Sequence, residues 1–275
     1  MKSGPASCLR PLGRLAGVLL AGAVLFSPVL AHAAAWTLDK GKGLVILKST
    51  FDGANQEFNG SGSLEPTAHY RKFELEALIE YGFTDWATGF LKPKFESVNV
   101  GEPTPGSHTG LGYSSVGLRT RIYNSADTVV SIQGELLGPG AFSQSNPAEI
   151  GNTGLNFDLR MLGAYEFGMW GLPAYINLET GYRWRADGPP NELRIDTAFG
   201  LRPTERLLLL AQTFTVIGDG TGSQGFPWLT YTKLQPSVVY DLTDAWSVQF
   251  GGYSTVTGRN ALQENTLFGA VWRRF

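Results

Sequence analysis

The chain has 275 residues, with 22 basic against 24 acidic side chains, three His and one Cys. This slight acidity, with no Lys/Arg stripe along any segment, argues against a nucleic-acid-binding surface. The lone Cys8 excludes a disulfide framework and a thiolate metal site.

Residues 1–33 read as an export signal. Lys2, Arg10 and Arg14 form a basic start, residues 15–30 are almost wholly apolar, and Ala31-His32-Ala33 is a small-x-small cleavage site. A membrane-spanning helix is the competing reading. The run is short for a span, is broken by Pro28 and lacks stop-transfer charges. Cys8 and His32 leave with the signal, so His69 and His108 are the histidines that remain. Beyond residue 33 no apolar run is long enough for a helix to span. If the rest of the chain, 34–275, sits in a membrane, it must be a closed barrel, since only helices and barrels satisfy every backbone group in lipid.

From there the sequence alternates in stretches of about ten residues separated by turn residues, the signature of transmembrane strands. The segments are 43–53, 68–82, 87–100, 112–124, 127–138, 154–168, 173–186, 191–203, 206–217, 230–241, 246–257 and 264–275. They predict an all-β fold: an antiparallel up-and-down barrel of about twelve strands, an even number as single-chain bacterial barrels have. Connectors at 83–86, 125–126, 169–172, 204–205 and 242–245 are tight. Those at 54–67, 101–111, 139–153, 187–190, 218–229 and 258–263 are mostly longer and rich in Gly, Pro, Ser, Thr and Asn. Pro93 and Pro236 fall inside predicted strands and cannot donate to a ladder, which predicts bulges or kinks there. Leu207 to Leu210 do not alternate cleanly.

Period two separates two faces. In 70–81, Phe73, Leu75, Ala77, Ile79 and Tyr81 oppose Lys72, Glu74, Glu76 and Glu80. Later strands repeat this: Leu155, Phe157, Leu159 and Met161 against Asp158 and Arg160, then Ile176, Leu178, Tyr182 and Trp184 against Glu179, Arg183 and Arg185. A charge at the bilayer midplane costs about 2–4 kcal/mol, so the apolar set faces lipid and the charged set faces the lumen. A soluble β-sandwich with the apolar face as its core has the same periodicity. The alternating connector lengths and two aromatic belts favour the membrane barrel. One belt holds Phe83, Trp86, Tyr123, Phe167, Trp170, Tyr240, Trp246, Trp272 and Phe275. The other holds Phe51, Tyr70, Phe95, Tyr113, Trp184, Trp228 and Tyr231.

The expected pore-lining residues are Lys72, Glu74, Glu76, Glu80, Lys92, Lys94, Glu96, Arg119, Arg121, Glu135, Asp158, Arg160, Glu179, Arg183, Arg185, Arg194, Asp196 and Lys233. Twelve strands lie between a barrel filled by side chains, at about eight, and a broad channel, at sixteen or more. Cross-strand pairs that mostly close the pore, or opposed acidic and basic walls lining a narrow channel, both fit these charges. A barrel enzyme would need a Ser/His pair at the outer rim, where His69 could meet Ser114 or Ser115. No catalytic, metal or cofactor motif is present.

The last strand, 267–275, alternates to a terminal Phe275, with Val271, Gly269 and Leu267 on the same face and Arg273 among them. Following an export signal, it resembles the closing strand of Gram-negative outer-membrane β-barrels. The resemblance implies that Phe275 carries the assembly signal and that the partners are outer-membrane lipid and the barrel-assembly machinery. Within that group, turns such as Gly82-Phe-Thr-Asp-Trp86 and Leu242-Thr-Asp-Ala-Trp246 and the basic-aromatic end are similar to the phenol-degradation-pathway, transporter-like and XagA-like outer-membrane proteins. That likeness implies passage of a small, unidentified solute through a narrow polar pore, or a role in polysaccharide export. A rim enzyme acting on lipid or saccharide, or a closed structural or adhesion barrel, are the alternatives.

Overall fold

The computed structural model describes residues 35–143, 145–149, 153–223 and 225–275. The segment read as an export signal lies outside the described residues.

The described residues form fifteen strand segments in one antiparallel sheet. They are β1 (Gly43–Phe58), β2 (Leu64–Thr84), β3 (Ala87–Lys92), β4 (Lys94–Val100), β5 (Gly106–Leu111), β6 (Ser114–Asn124), β7 (Thr128–Gly138) and β8 (Asn156–Met169). They continue as β9 (Leu172–Arg185), β10 (Glu192–Thr204), β11 (Leu207–Gly218), β12 (Thr230–Asp241), β13 (Trp246–Arg259), β14 (Ala261–Leu262) and β15 (Asn265–Arg274). Three pairs of segments are single wall strands with a break: β3 with β4, β5 with β6, and β14 with β15. The result is a closed barrel of 12 strands. β1 pairs with both β2 and β15, which closes the wall of the barrel on itself.

Closure ends on a reciprocal bond pair: Gly43 N donates to Phe275 O at 2.8 Å, and Phe275 N to Gly43 O at 3.0 Å. A Cβ on Gly43 would lie 2.2 Å from the Phe275 ring, so the missing side chain is the seat for the last aromatic. Arg273 shares this outward face. Its guanidinium lies 5.0 Å from the centre of the Trp246 ring, so the charge leans along an aromatic surface toward the rim.

All twelve expected strands form, with two differences. Residues 54–67 and 101–111, expected as loops, are largely strand: β1 and β2 run on to a turn at 59–63, and β5 pairs with β4. These extensions carry Gln56, Glu57, Glu65 and Thr67, so they stand as ladder without the apolar face that marks a strand in lipid. The second difference concerns the prolines. Pro93 does break its strand into β3 and β4. Pro236 stays within β12; the pairing to β13 omits Gln235 and Pro236 with no shift of register. The bulge in that ladder falls between Thr232 and Lys233 instead.

The outer wall exposes Leu159, Met161, Ile176, Leu178, Val248, Phe250 and Leu267, as the alternation requires. Four aromatics assigned to the belts point inward instead. Tyr70 and Tyr113 line an inner cavity, Tyr231 lies under the Lys233 ammonium, and Trp272 packs on a buried cluster. Each sits at an inward parity, which overrides nearness to a strand end.

Candidate functional site: the barrel lumen

Inward positions carry charge through the middle and far part of the barrel, the near rim being the one that holds Gly43 and Phe275. On one side Lys94 bridges Glu74 and Glu76, at 3.1 Å each, and Lys72 reaches Glu74 at 3.4 Å. Lys92 meets Glu135 at 3.1 Å, and Ser115 donates to the same carboxylate. Arg119 binds Glu80 at 2.9 Å. On the other side Arg160 holds Asp158 at 2.7 Å, Asp196 at 2.6 Å and Glu179 at 3.4 Å. Arg183 shares Asp158 at 3.0 Å, and Glu192 sits between Arg185 at 2.7 Å and Arg194 at 2.9 Å. Lys233 pairs with Glu264, and Asp241 takes Arg202 and Arg274 at the near rim. Glu96 is buried among the inner residues, and Arg121 follows Arg119 at the same parity on β6.

Some of these pairs lie within a strand or between neighbours, and others reach further. Arg119 to Glu80 passes over β3, Lys92 to Glu135 over β6, Arg160 to Asp196 over β9, and Arg202 to Asp241 over β11. Each spans two strand spacings, about 10 Å along the wall. They staple neighbouring strands and leave the bore uncrossed. Opposed acidic and basic walls are not what forms, because Asp158, Glu179, Glu192 and Asp196 answer the arginines locally. Glu192, Glu264, Asp241 and Arg274 were missed from the sequence because they lie at strand ends or in a break, where the alternation is shortest.

The near end of the lumen is crossed by the chain itself, a feature with no counterpart in the alternation. Residues 35–39 run inside the barrel. Ser131 Oγ donates to Ala35 O, Arg119 Nη1 to Trp36 O at 3.0 Å, Thr37 Oγ1 to Asp85 O at 2.8 Å, and Leu38 N to Thr88 Oγ1 at 2.7 Å. Trp36 packs on two buried clusters, Val129, Leu162 and Ala164 on one side and Tyr175, Leu208, Leu210 and Val239 on the other. Its ring meets Tyr175 edge-on at 5.9 Å. Contacts to β7 and β8 and to β11 and β12 at once mean that this arm crosses the bore. Gly82 provides its bed: a Cβ there would lie 2.2 Å from Asp39 O. The irregular Leu207 to Leu210 run is thereby explained. Leu208 and Leu210 face the arm while Leu209 faces outward.

At the far end, a cavity of about 430 Å³ is lined by Tyr70, Lys72, Glu74, Lys94, Glu96 and Tyr113, with Pro147 and Ala148 leaning in from the 139–149 stretch. Glu149 fastens that stretch. Its carboxylate accepts from the Phe142 and Ser143 amides at 2.9 Å each and from Asn146, and it lies 3.5 Å from His108 Nδ1. The two backbone N–H groups hold this carboxyl below the usual carboxylate range. A group so lowered contributes to closure above its ordinary range and loses it as pH falls through the lowered value. Amide protection at Phe142 and Ser143 is therefore expected to persist from pH 7 to about 5 and to fall only in stronger acid. In Glu149→Ala it should be weak throughout. Equal protection in the variant would remove Glu149 as the fastener.

The structure does not assemble a rim Ser/His pair. His69 is exposed on the outer wall, whereas Ser115 faces inward to Glu135, and Ser114 Oγ receives Lys94 N at 3.1 Å. Among the described residues no three His, Cys, Asp or Glu converge as metal ligands.

No family model and no curated protein matches the sequence. Solved structures do match in fold. The COG4313 outer membrane channel from Pseudomonas putida F1 is similar at a TM-score of 0.69 and 15% identity, covering 89% of this chain and 99% of that one. The KdgM porin is similar at 0.52 and 9% identity, covering 83% and 99%. The NanC porin is similar at 0.50 and 12% identity, covering 81% and 98%. At these identities the likeness is one of fold.

Proposed function

We propose that the protein is an outer-membrane channel that passes a small solute through a narrow polar lumen, with the 35–39 arm as its constriction. The observation that carries this is the ion-paired lumen inside an apolar wall: charges stapled along the strands leave a bore, which among the described residues is narrowed by the arm and by the segment carrying Pro147 and Ala148. The shared fold with channels and porins supports the reading. Tyr70, Tyr113, Tyr231 and Trp36 offer inward aromatic surface beside the charges, which suits a small amphipathic, phenol-like solute.

Single-channel recording of the mature protein in a planar bilayer under a salt gradient tests it. Discrete steps are expected. Glu76→Lys, which adds a cation beside Lys94, should shift the reversal potential toward anions. Lys92→Glu, which adds an acid beside Glu135, should shift it toward cations. A folded, heat-modifiable barrel that never conducts would end the channel reading in favour of a closed structural barrel.

A further inference from the structure

The outer wall carries a groove of about 840 Å³ near the far rim, on the outside of the barrel. Strand register gives it a sharp chemical boundary. One outward row, Leu267–Phe51–Phe73 across β15, β1 and β2, is apolar, and the Phe51 and Phe73 rings are 5.1 Å apart. The next outward row toward the far rim reads Asn265–Gly53–Arg71–Asn99, with His69 flanking it. Gly53 makes the notch between the two. A Cβ placed there would touch only Tyr70 O, at 3.5 Å, so the space over it is open.

Of the three charged lining residues, Arg71 is the one that points outward. Asp52 borders the groove but turns inward, accepting from Thr266 Oγ1 at 2.7 Å, and Lys72 turns inward to Glu74. Arg71 is exposed and has no carboxylate at ion-pair distance among the described residues. An arginine next to amide donors, directly above an aromatic and aliphatic floor, complements a phosphate joined to acyl chains. At the far rim of an outer-membrane barrel that chemistry is found in the phosphorylated glycolipid of the outer leaflet.

We infer that this groove is a binding site for a phosphorylated acyl glycolipid, with its phosphate on Arg71 and Asn99 and an acyl chain along Phe51, Phe73 and Leu267. The inference rests on the outer-membrane reading but not on conduction.

Native mass spectrometry of the detergent-solubilised mature protein tests it, with bisphosphorylated lipid A, its dephosphorylated counterpart and phosphatidylglycerol as probes. Preferential retention of bisphosphorylated lipid A is expected. Arg71→Gln should reduce it about tenfold, the effect of losing a charge-assisted contact. Gly53→Leu fills the notch and should reduce binding of both lipid A forms while the barrel stays folded. Equal retention of the phosphorylated and dephosphorylated lipids, undiminished binding in Arg71→Gln, or a matching affinity for phosphatidylglycerol would each overturn the assignment. Unit conductance recorded on the same variants separates the two readings. Conduction without lipid preference sinks this inference alone, and lipid preference without conduction sinks the channel alone.

Discussion

Replacing Trp36 with alanine is expected to raise the unit conductance several-fold while the barrel stays folded. Trp36 joins the two buried clusters across the near end of the lumen, and its removal leaves the arm held mainly by hydrogen bonds to Ser131, Arg119, Asp85 and Thr88. Truncating a packed Trp costs about 3–5 kcal/mol. The arm precedes β1 and lies outside the strand ladder, so that loss falls on docking and not on barrel closure. At about 1.4 kcal/mol per tenfold, the docked population falls at least about a hundredfold relative to the undocked one. Arg119 keeps Glu80 and Gln133 as partners, which leaves no orphaned charge behind. Gly82→Val reaches the same end by another route, since its Cβ meets backbone oxygen and the arm must lift. Wild-type conductance in both variants would show that the arm is not the constriction.

Arg160→Met is expected to destabilise the barrel by about 3–5 kcal/mol, the cost of breaking a buried ion pair by removing one partner. Among the described residues Arg160 is the one guanidinium that touches all three of Asp158, Glu179 and Asp196, and Asp158 is fully buried. Without it, Asp158 retains Arg183, but Asp196 and Glu179 lose their ion-pair partner. Denaturant unfolding in lipid, read by heat-modifiable mobility, should show a lower midpoint. Adding Asp196→Asn should recover part of the loss, because the pair acts as a unit. Independent, additive effects of the two changes would mean that the cluster is not coupled.

The wall of this barrel was legible because period-two alternation is enforced by lipid outside and charge inside. Phe73 with Lys72, Leu159 with Asp158, and Leu178 with Glu179 each fix a face unaided. The extensions of β1 and β2 were not legible, since a strand above the bilayer has water on both sides and nothing to alternate against. The arm was invisible for a related reason: five residues in an irregular path have no period. A trace of it existed, however. Leu208, Leu210, Val239 and Leu162 are apolar at inward parity, which a water-filled bore does not require, and together they mark where something apolar must dock. Trp272 and Tyr231 carried the same parity information, hidden by their nearness to the strand ends.

The short reach of the ion pairs sets how the protein looks to an approaching solute. Most charges on the inner wall have their opposite within one or two strands, so the bore presents mainly close-set dipoles and quadrupoles in place of one extended potential. Such fields fade within a few ångströms, well inside the Debye length of about 8 Å at physiological salt. For the channel proposed above, this leaves capture from bulk to diffusion, with little electrostatic steering and little dependence on ionic strength. In that channel, discrimination would begin only once a solute is inside and touching the wall.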